Sequence, residues 1–536
     1  MLNQYAKGRS GVVTSPHYLA TAAGKAVLAA GGNAIEAALA VGSVLCVVYP
    51  HMNSLGGDGF WLLADENGHL TGLDGAGSAG MAYSPEFYLH RGLSAIPSRG
   101  AHAANTVAGL VSVWGAAQAL SQNHWGGRFS WPDLLESALG HADKGFSCSR
   151  SQGDFLTRKW DELGAFECLT DIYAPQGQTP VPEAIFQQPQ LAQTLRLLQR
   201  DGAEGFYRGE LGRQIAQGLA EVGSLLTFDD LAAFRGRTVI PIGVPYRDGM
   251  AVNMPPPTQG LASLMILGQL NQFDLTRYSH LSADYVHLVV EATKQAFRLR
   301  DRYVADPDHH SAPVEALLSA ESMTTLARSI DMQHAAPWSR GVGPGDTVWF
   351  GVVDAQGRAV SAIQSIYHEY GSGVIAGDTG ILWQNRGTSF SLNPNHVNAL
   401  KPGKRPFHTL NPAMYLEQGR PRLIFGTMGG DGQPQTQTAV ATRALDYNLP
   451  LPEVLASPRW LLGRTWGQST DSLKLEGRFA PEVFAELTRR GHHVERVDDY
   501  AQMMGHAGVI RVLGDGVCEA ASDPRSDGAA AGISSF

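Results

Sequence analysis

The feature that most constrains this chain is an abrupt change of pattern at Thr347. Residues 305–346 are crowded with breakers: Asp306-Pro-Asp-His-His310, Ala335-Ala-Pro337 and Gly341-Val-Gly-Pro-Gly345. Their periodicity is weak, which predicts a helix inside a long flexible segment ending in an exposed Gly/Pro-rich loop. From Thr347 the pattern is that of a hairpin. Val348 to Val353 reads as a strand, Asp354-Ala-Gln-Gly357 as its turn and Ala359 to Ile366 as the return strand. A threonine at such a junction becomes a new N-terminus if the bond from Asp346 to Thr347 opens. Its α-amine, with a pKa of about 7.7–8.0, then lies beside its own hydroxyl. It can serve as general base near neutral pH and activate a weak nucleophile without a histidine.

The remainder of the chain narrows the alternatives. Its 536 residues carry a net charge of −9, and 43% are hydrophobic. A mildly acidic surface argues against nucleic acid as a partner. Cys46, Cys148, Cys168 and Cys518 form no CxxC pair, so neither a disulfide framework nor a zinc cluster is expected. His309-His310 and His492-His493 are adjacent pairs without ligand spacing, and no HExxH occurs; no metal and no cofactor are expected. The apolar stretch from Ala34 to Pro50 contains Glu36 and is too short to span a bilayer. No apolar signal region opens the sequence, so a cytoplasmic protein with no membrane partner is expected.

The helical pattern is strongest at Ala34 to Val47 and at Ala283 to Tyr303, where Ser282 caps an apolar stripe of Val286, Val289, Val290, Thr293 and Phe297. Residues 130–300 read as mainly helical. Strands are expected at Phe60 to Ala64, near Leu423 to Phe425 and near Val509 to Val512, with a helix near Gln435 to Asn448. Gly426-Thr-Met-Gly-Gly-Asp-Gly432 joins strand to helix and is no Walker loop. It is either a plain turn or one whose Gly429 and Gly430 N–H groups form an oxyanion hole.

Several of these segments together resemble the γ-glutamyltranspeptidase family over nearly the whole chain. They are Gly31-Gly-Asn-Ala-Ile-Glu-Ala, Leu55-Gly-Gly-Asp-Gly-Phe60, Met254-Pro-Pro-Pro-Thr258, Glu291-Ala-Thr-Lys-Gln-Ala-Phe297, Gly345-Asp-Thr347, Tyr370-Gly-Ser-Gly-Val-Ile-Ala-Gly377, Gly403-Lys-Arg-Pro406, Gly429-Gly430 and Ser522-Asp-Pro-Arg525. The resemblance implies an α+β fold, the αββα sandwich of N-terminal-nucleophile hydrolases, with a largely helical region in the large subunit. It implies a precursor that cuts itself between Asp346 and Thr347 into a large subunit, 1–346, and a small one, 347–536, both parts of one intertwined body. A dimer of such pairs is possible. Thr347 then matches the nucleophile, Ser365 its supporting hydroxyl, and Gly429 and Gly430 the oxyanion glycines.

The departures from the family pattern concern the glutamate reader. The arginine that grips the α-carboxylate aligns with Asp74, an acid that would repel it. The residues that read the α-amino group align with Arg386 and Ser389, the carboxylate-binding serine pair with His408 and Thr409, and an asparagine near the nucleophile with Tyr367. The amide-cutting parts are kept and the amino-acid reader is lost, while Arg386 supplies a cation suited to a carboxylate. This pattern resembles a subgroup of the family, the oxamate amidohydrolases of purine and allantoin breakdown. A small anionic amide is the expected substrate, with hydrolysis of oxamate to oxalate and ammonia as the expected reaction. A γ-glutamyl hydrolase or transpeptidase, a cephalosporin-acylase-like amidase and an uncleaved scaffold are the rival readings.

Overall fold

A computed structural model describes residues 3–338, 345–463, 470–514 and 516–534, with the Asp346 side chain excepted. Most of the Gly341-Val-Gly-Pro-Gly345 loop expected before Thr347 therefore lies outside the described residues. The earlier part of that segment holds two short helices, Val314–Leu317 and Ala320–Arg328. Ala336 beyond them is held by Glu291, which accepts its N–H at 3.0 Å, and by Lys294, which donates to its carbonyl at 2.7 Å.

Two seven-stranded sheets form the centre. The first runs, in spatial order, Tyr5–Gly8, Cys518–Ser522, Ala507–Val512, Arg420–Thr427, Ala413–Glu417, Gly249–Asn253 and Ile242–Tyr246. The second runs Ala529–Gly532, Gly11–Ser15, Asp346–Asp354, Ala359–Tyr367, Asp58–Ala64, Leu70–Asp74 and Arg237–Val239. Strands from before and after Thr347 interleave in both sheets. Residues 130–300 are mainly helical as expected, with helices such as Trp131–Lys144, Pro189–Arg208, Glu210–Glu221 and Gly260–Leu270, and the three strands between 237 and 253 interrupt them.

Alternation of side chains explains the layering. In Asp346–Asp354, Trp349 and Val353 join Phe60, Leu62, Ile363, Met414, Ile424 and Ile510 between the sheets. Val348, Phe350 and Val352 of the same strand face outward, onto the Ala34–Val48 helix side. Both faces are covered, so the strand is apolar throughout. The first sheet is covered by Gly260–Leu270, Ala283–Tyr303 and Gln433–Leu445. The result is helix, sheet, sheet, helix: the αββα layering of an α+β protein. Gly426 and Gly508 let the sheets close on Trp349, because a Cβ at either would stand 2.2–2.3 Å from the indole. Among the described residues no helix is long and apolar enough to cross a membrane.

Candidate active site

Thr347 opens the hairpin at an irregularity in its pairing. Asp346 faces Tyr367 and Val348 faces Gln364, with a register shift between them. Thr347 precedes Trp349 by two residues and Ser365 follows Ile363 by two, so the alternation sends both hydroxyls toward the other sheet. Both are buried. There, at the start of the Gln433–Leu445 helix, the Gln433 Nε2 atom lies 3.4 Å from Thr347 Oγ1. Gln433 is itself oriented by Asn411, whose amide donates to Gln433 Oε1 at 3.1 Å and to the Thr409 carbonyl at 2.8 Å. The Ser365 hydroxyl accepts from the Tyr367 N–H at 2.7 Å.

Gly429 and Gly430 follow the Arg420–Thr427 strand at φ of 120° and 52°, both in the region that favours glycine. A Cβ on Gly430 would meet the Gly345 backbone at 2.8–2.9 Å. The loop therefore lies directly against the residue preceding Asp346, and only glycine permits the approach. Gln259 clamps the loop, donating to the carbonyls of Gly430 and Thr409 at 2.8 Å each. Arg300 holds Gln259 Oε1 at 2.9 Å and Asp431 at 2.7 Å.

The opposite wall is built from Arg386, Tyr367, His408 and Thr409. The Arg386 side chain is fully buried. Its Nη1 donates to Thr409 Oγ1 at 3.0 Å, and its guanidinium stacks 3.7 Å from the Tyr367 ring centroid. Tyr367 adopts a φ of 77°, unusual for a residue with a side chain, and its ring also packs on Gly345. Arg386 Nε and Nη2 have no hydrogen-bond partner among the described residues. Burial lowers the Arg386 pKa to about 10, against the attraction of Tyr367, Asp58 and Asp431, so it is cationic at neutral pH. Burial raises the Tyr367 phenol to about 12.

His408 is likewise fully buried, and its Nε2 lies 2.9 Å from Asp58 Oδ2. The other Asp58 oxygen accepts from the Gly109 N–H at 3.0 Å and the Gln384 amide at 2.9 Å. Burial, then the nearby Arg386 charge, push the His408 pKa well below the usual histidine value. Burial lifts Asp58 to about 6.

Asp74 has a different place from the one its alignment suggests. Its carboxylate takes Arg405 Nη1 at 3.0 Å and the Ala76 N–H at 2.8 Å. Its charge is matched within the fold and is not left to repel a ligand. Ser389 is turned away, donating to the Phe407 carbonyl at 3.1 Å. Gln433, Asn411, Gln259 and Asp58 were not singled out from the sequence. The signal for the glutamine was the polar run Gln433-Pro-Gln-Thr-Gln-Thr438 at a helix start, every residue of it buried. For Asp58 it was an acid at the start of an otherwise apolar strand.

Among the described residues one cluster elsewhere has metal-ligand side chains: His287, Glu291 and His492, with donor atoms within 4.8 Å of one another. They are already engaged. His287 Nε2 lies 2.8 Å from the Asp331 carbonyl and so carries the proton, which leaves its Nδ1 to accept from His492 Nε2 at 2.8 Å. Glu291 holds Lys294 at 2.7 Å. The arrangement is a completed hydrogen-bond chain, and Lys294 adds a cation where a metal would need none.

The γ-glutamyltranspeptidase family model matches residues 20–533. The chain is 49% identical over 523 residues to an oxamate amidohydrolase proenzyme of Klebsiella pneumoniae, covering 97% of this chain and 98% of that one. It is 43% identical to a glutathione hydrolase-like proenzyme, YwrD, of Bacillus subtilis, covering 99% and 100%. Among solved structures it is similar to a cephalosporin acylase from Bacillus halodurans, with a TM-score of 0.91 and 33% identity over 100% of this chain and 98% of that one.

Proposed function

The chain belongs to the γ-glutamyltranspeptidase family and is a hydrolase of amide bonds, and from that premise we propose that it hydrolyses oxamate to oxalate and ammonia. The observation that carries this reading is Arg386: fully buried, cationic and with two guanidinium nitrogens unpartnered among the described residues. A buried charge without a counter-charge is costly unless a ligand supplies one. A carboxylate beside the scissile amide does so, with the planar fork that Arg offers and Lys does not. The 49% identity to an oxamate amidohydrolase proenzyme supports the same substrate.

In the proposed sequence of events the Thr347 hydroxyl first attacks the Asp346 carbonyl. The acyl group moves from nitrogen to oxygen, and water opens the resulting ester. This frees the Thr347 α-amine and divides the chain into subunits 1–346 and 347–536. The amine then takes the hydroxyl proton, with Ser365 and Gln433 orienting the pair, and Oγ1 attacks the substrate amide carbon. The N–H groups of Gly429 and Gly430 hold the oxyanion. The tetrahedral centre expels ammonia, which carries off the proton, and water opens the oxalyl ester. The reaction would take its substrate from purine and allantoin breakdown.

A γ-glutamyl substrate fits less well. Its α-ammonium needs a carboxylate partner, yet Asp58 is bonded to His408, Asp74 to Arg405 and Asp431 to Arg300. The test is an ammonia-release assay on oxamate and glutamine, alongside γ-glutamyl anilide and an acyl-lactam. Oxamate should be preferred, and preference for any other amide overturns the substrate. N-terminal sequencing of the small fragment should read Thr-Val-Trp-Phe, and Thr347→Ala should remain one inactive chain on a denaturing gel.

A further inference from the structure

The wall around Arg386 has a second orphan of opposite polarity. His408 Nδ1 is buried and has no hydrogen-bond partner among the described residues. Its character follows from the other side of the ring. Nε2 faces the Asp58 carboxylate at 2.9 Å, and that carboxylate already receives Gly109 and Gln384 on its other oxygen. An ionised carboxylate only accepts, so Nε2 must carry the imidazole proton. The ring is neutral, and Nδ1 is left with a lone pair. An acceptor buried unpaired is unfavourable. Phe60 packs edge-on against the ring at 4.6 Å between centroids, and the His408 N–H and C=O are bonded to Pro257 and Gln259 at 2.9 Å each. The imidazole is thus fixed in position as well as in tautomer.

The unsatisfied groups of this wall among the described residues are therefore two donor nitrogens on Arg386 and one lone pair on His408, whose neighbour Thr409 binds Arg386. Their complement is a molecule with a carboxylate next to an N–H donor. We propose that His408 is a specificity-determining residue that accepts a hydrogen bond from the substrate's amide NH2 through Nδ1, with Asp58 as the positioning residue that holds the tautomer. This rests on the oxamate reading and adds to it: Arg386 selects the carboxylate, and His408 selects an amide over an ester. A site built to accept a substrate N–H rejects an analogue lacking it, because the buried acceptor stays unpaired.

Monomethyl oxalate is the matched probe. It keeps the carboxylate and the attacked carbonyl but has an ester oxygen in place of NH2, and its cleavage gives oxalate and methanol. The experiment compares kcat/KM for oxamate and monomethyl oxalate in wild type, His408→Phe and His408→Asn. His408→Phe should lower the oxamate-to-ester ratio by about tenfold or more, in line with the loss of one hydrogen bond in a closed site. His408→Asn retains an acceptor near Nδ1 and should recover part of the ratio. Equal losses on both substrates overturn the role of His408 while leaving the oxamate reading intact. A wild type that cleaves neither compound overturns the oxamate reading, and this role with it. Should His408→Phe fail to fold, the wild type's own ratio decides: a ratio that does not move between about pH 5 and 8, a window spanning the usual histidine value and the raised carboxyl of Asp58, overturns the proposal.

Discussion

Two arginines nineteen positions apart are buried in the same region, and their surroundings differ completely. Arg405 binds Asp74 at 3.0 Å and Asp306 at 2.7 Å, and its backbone N–H also reaches Asp306 at 2.8 Å. Arg386 has one hydroxyl, one aromatic face and no acid within ion-pair distance among the described residues. Arg405 ties the end of the Leu70–Asp74 strand to the loop at Asp306, and its partners gain nothing from a ligand. Arg386 is held in place by Tyr367 and Thr409 while its charge is left unmatched. Arg405 thus has its counter-charges supplied by the fold, whereas the position opposite Arg386 is open among the described residues.

The sharpest way to break this contrast is to remove each cation in turn. Arg405→Met strands two buried carboxylates, and breaking a buried pair in this manner typically costs about 3–5 kcal/mol. We expect a large loss of stability, read by thermal melting, and little processed enzyme. A melt like that of wild type would show that Asp74 and Asp306 do not depend on Arg405. Arg386→Met breaks no ion pair among the described residues. Exchange of a buried charge for an apolar side chain of similar volume is often neutral or stabilising, so its melting temperature should equal or exceed that of wild type, with normal processing.

The next effect is on activity. A charge-assisted pair contributes about 1.5–3 kcal/mol, so Arg386→Met should lose roughly 10- to 150-fold in kcat/KM for oxamate, and Arg386→Lys should restore only part. The same substitution should leave an amide without a carboxylate far less affected. Uniform loss on both would recast Arg386 as a support for Thr347 and not as a reader of charge.

What the sequence revealed of this arrangement follows from where its signals are local. The hairpin from Asp346 to Tyr367 and the Ala283–Tyr303 helix were visible because their apolar periodicity and their punctuation, the Asp354 turn and the Ser282 cap, lie within a few residues. Arg237–Val239 and Ile242–Tyr246 were not. Both are short edge strands, the latter containing Pro245, and their pairing is set by partners far away in the chain. The site divides similarly. Thr347 stands at a change of pattern, and the Gly429-Gly430 pair at a strand-to-helix turn. Arg386 and His408 could be located only through the resemblance. Whether an arginine is matched or open, and which imidazole nitrogen is occupied, depends on Asp58, Asp74 and Asp306, which the fold brings in from other strands and loops.

The smallest expected effect, and the one that most sharpens the contrast, is a pH dependence confined to oxamate. Burial raises the Asp58 carboxyl to about 6, offset in part by the Gly109 N–H, the Gln384 amide and the Arg386 charge. Above that pH the carboxylate is ionised and holds the proton of His408 on Nε2. Below it Asp58 is protonated and can donate to Nε2 instead, which sends the imidazole proton to Nδ1. An acceptor then becomes a donor, facing the substrate's own N–H. The sign is therefore fixed: kcat/KM for oxamate falls as pH drops through about 6, while the ester, whose oxygen can accept from Nδ1–H, is spared. One protonation limits the fall to about tenfold per pH unit. The same shift has the opposite sign for folding. A carboxyl whose folded value lies above its unfolded value of about 3.9 loses stability as pH rises from there toward 6, so the acid-side loss of oxamate turnover would not be unfolding through Asp58. Taking the oxamate-to-ester ratio cancels any titration of the Thr347 α-amine, which serves both substrates equally. The logarithm of that ratio should be flat above about pH 7 and descend with a slope approaching one below 6. A ratio flat across the whole range would mean that the Asp58–His408 pair is as self-contained as Arg405 with its two acids, leaving Arg386 as the one open group of this wall.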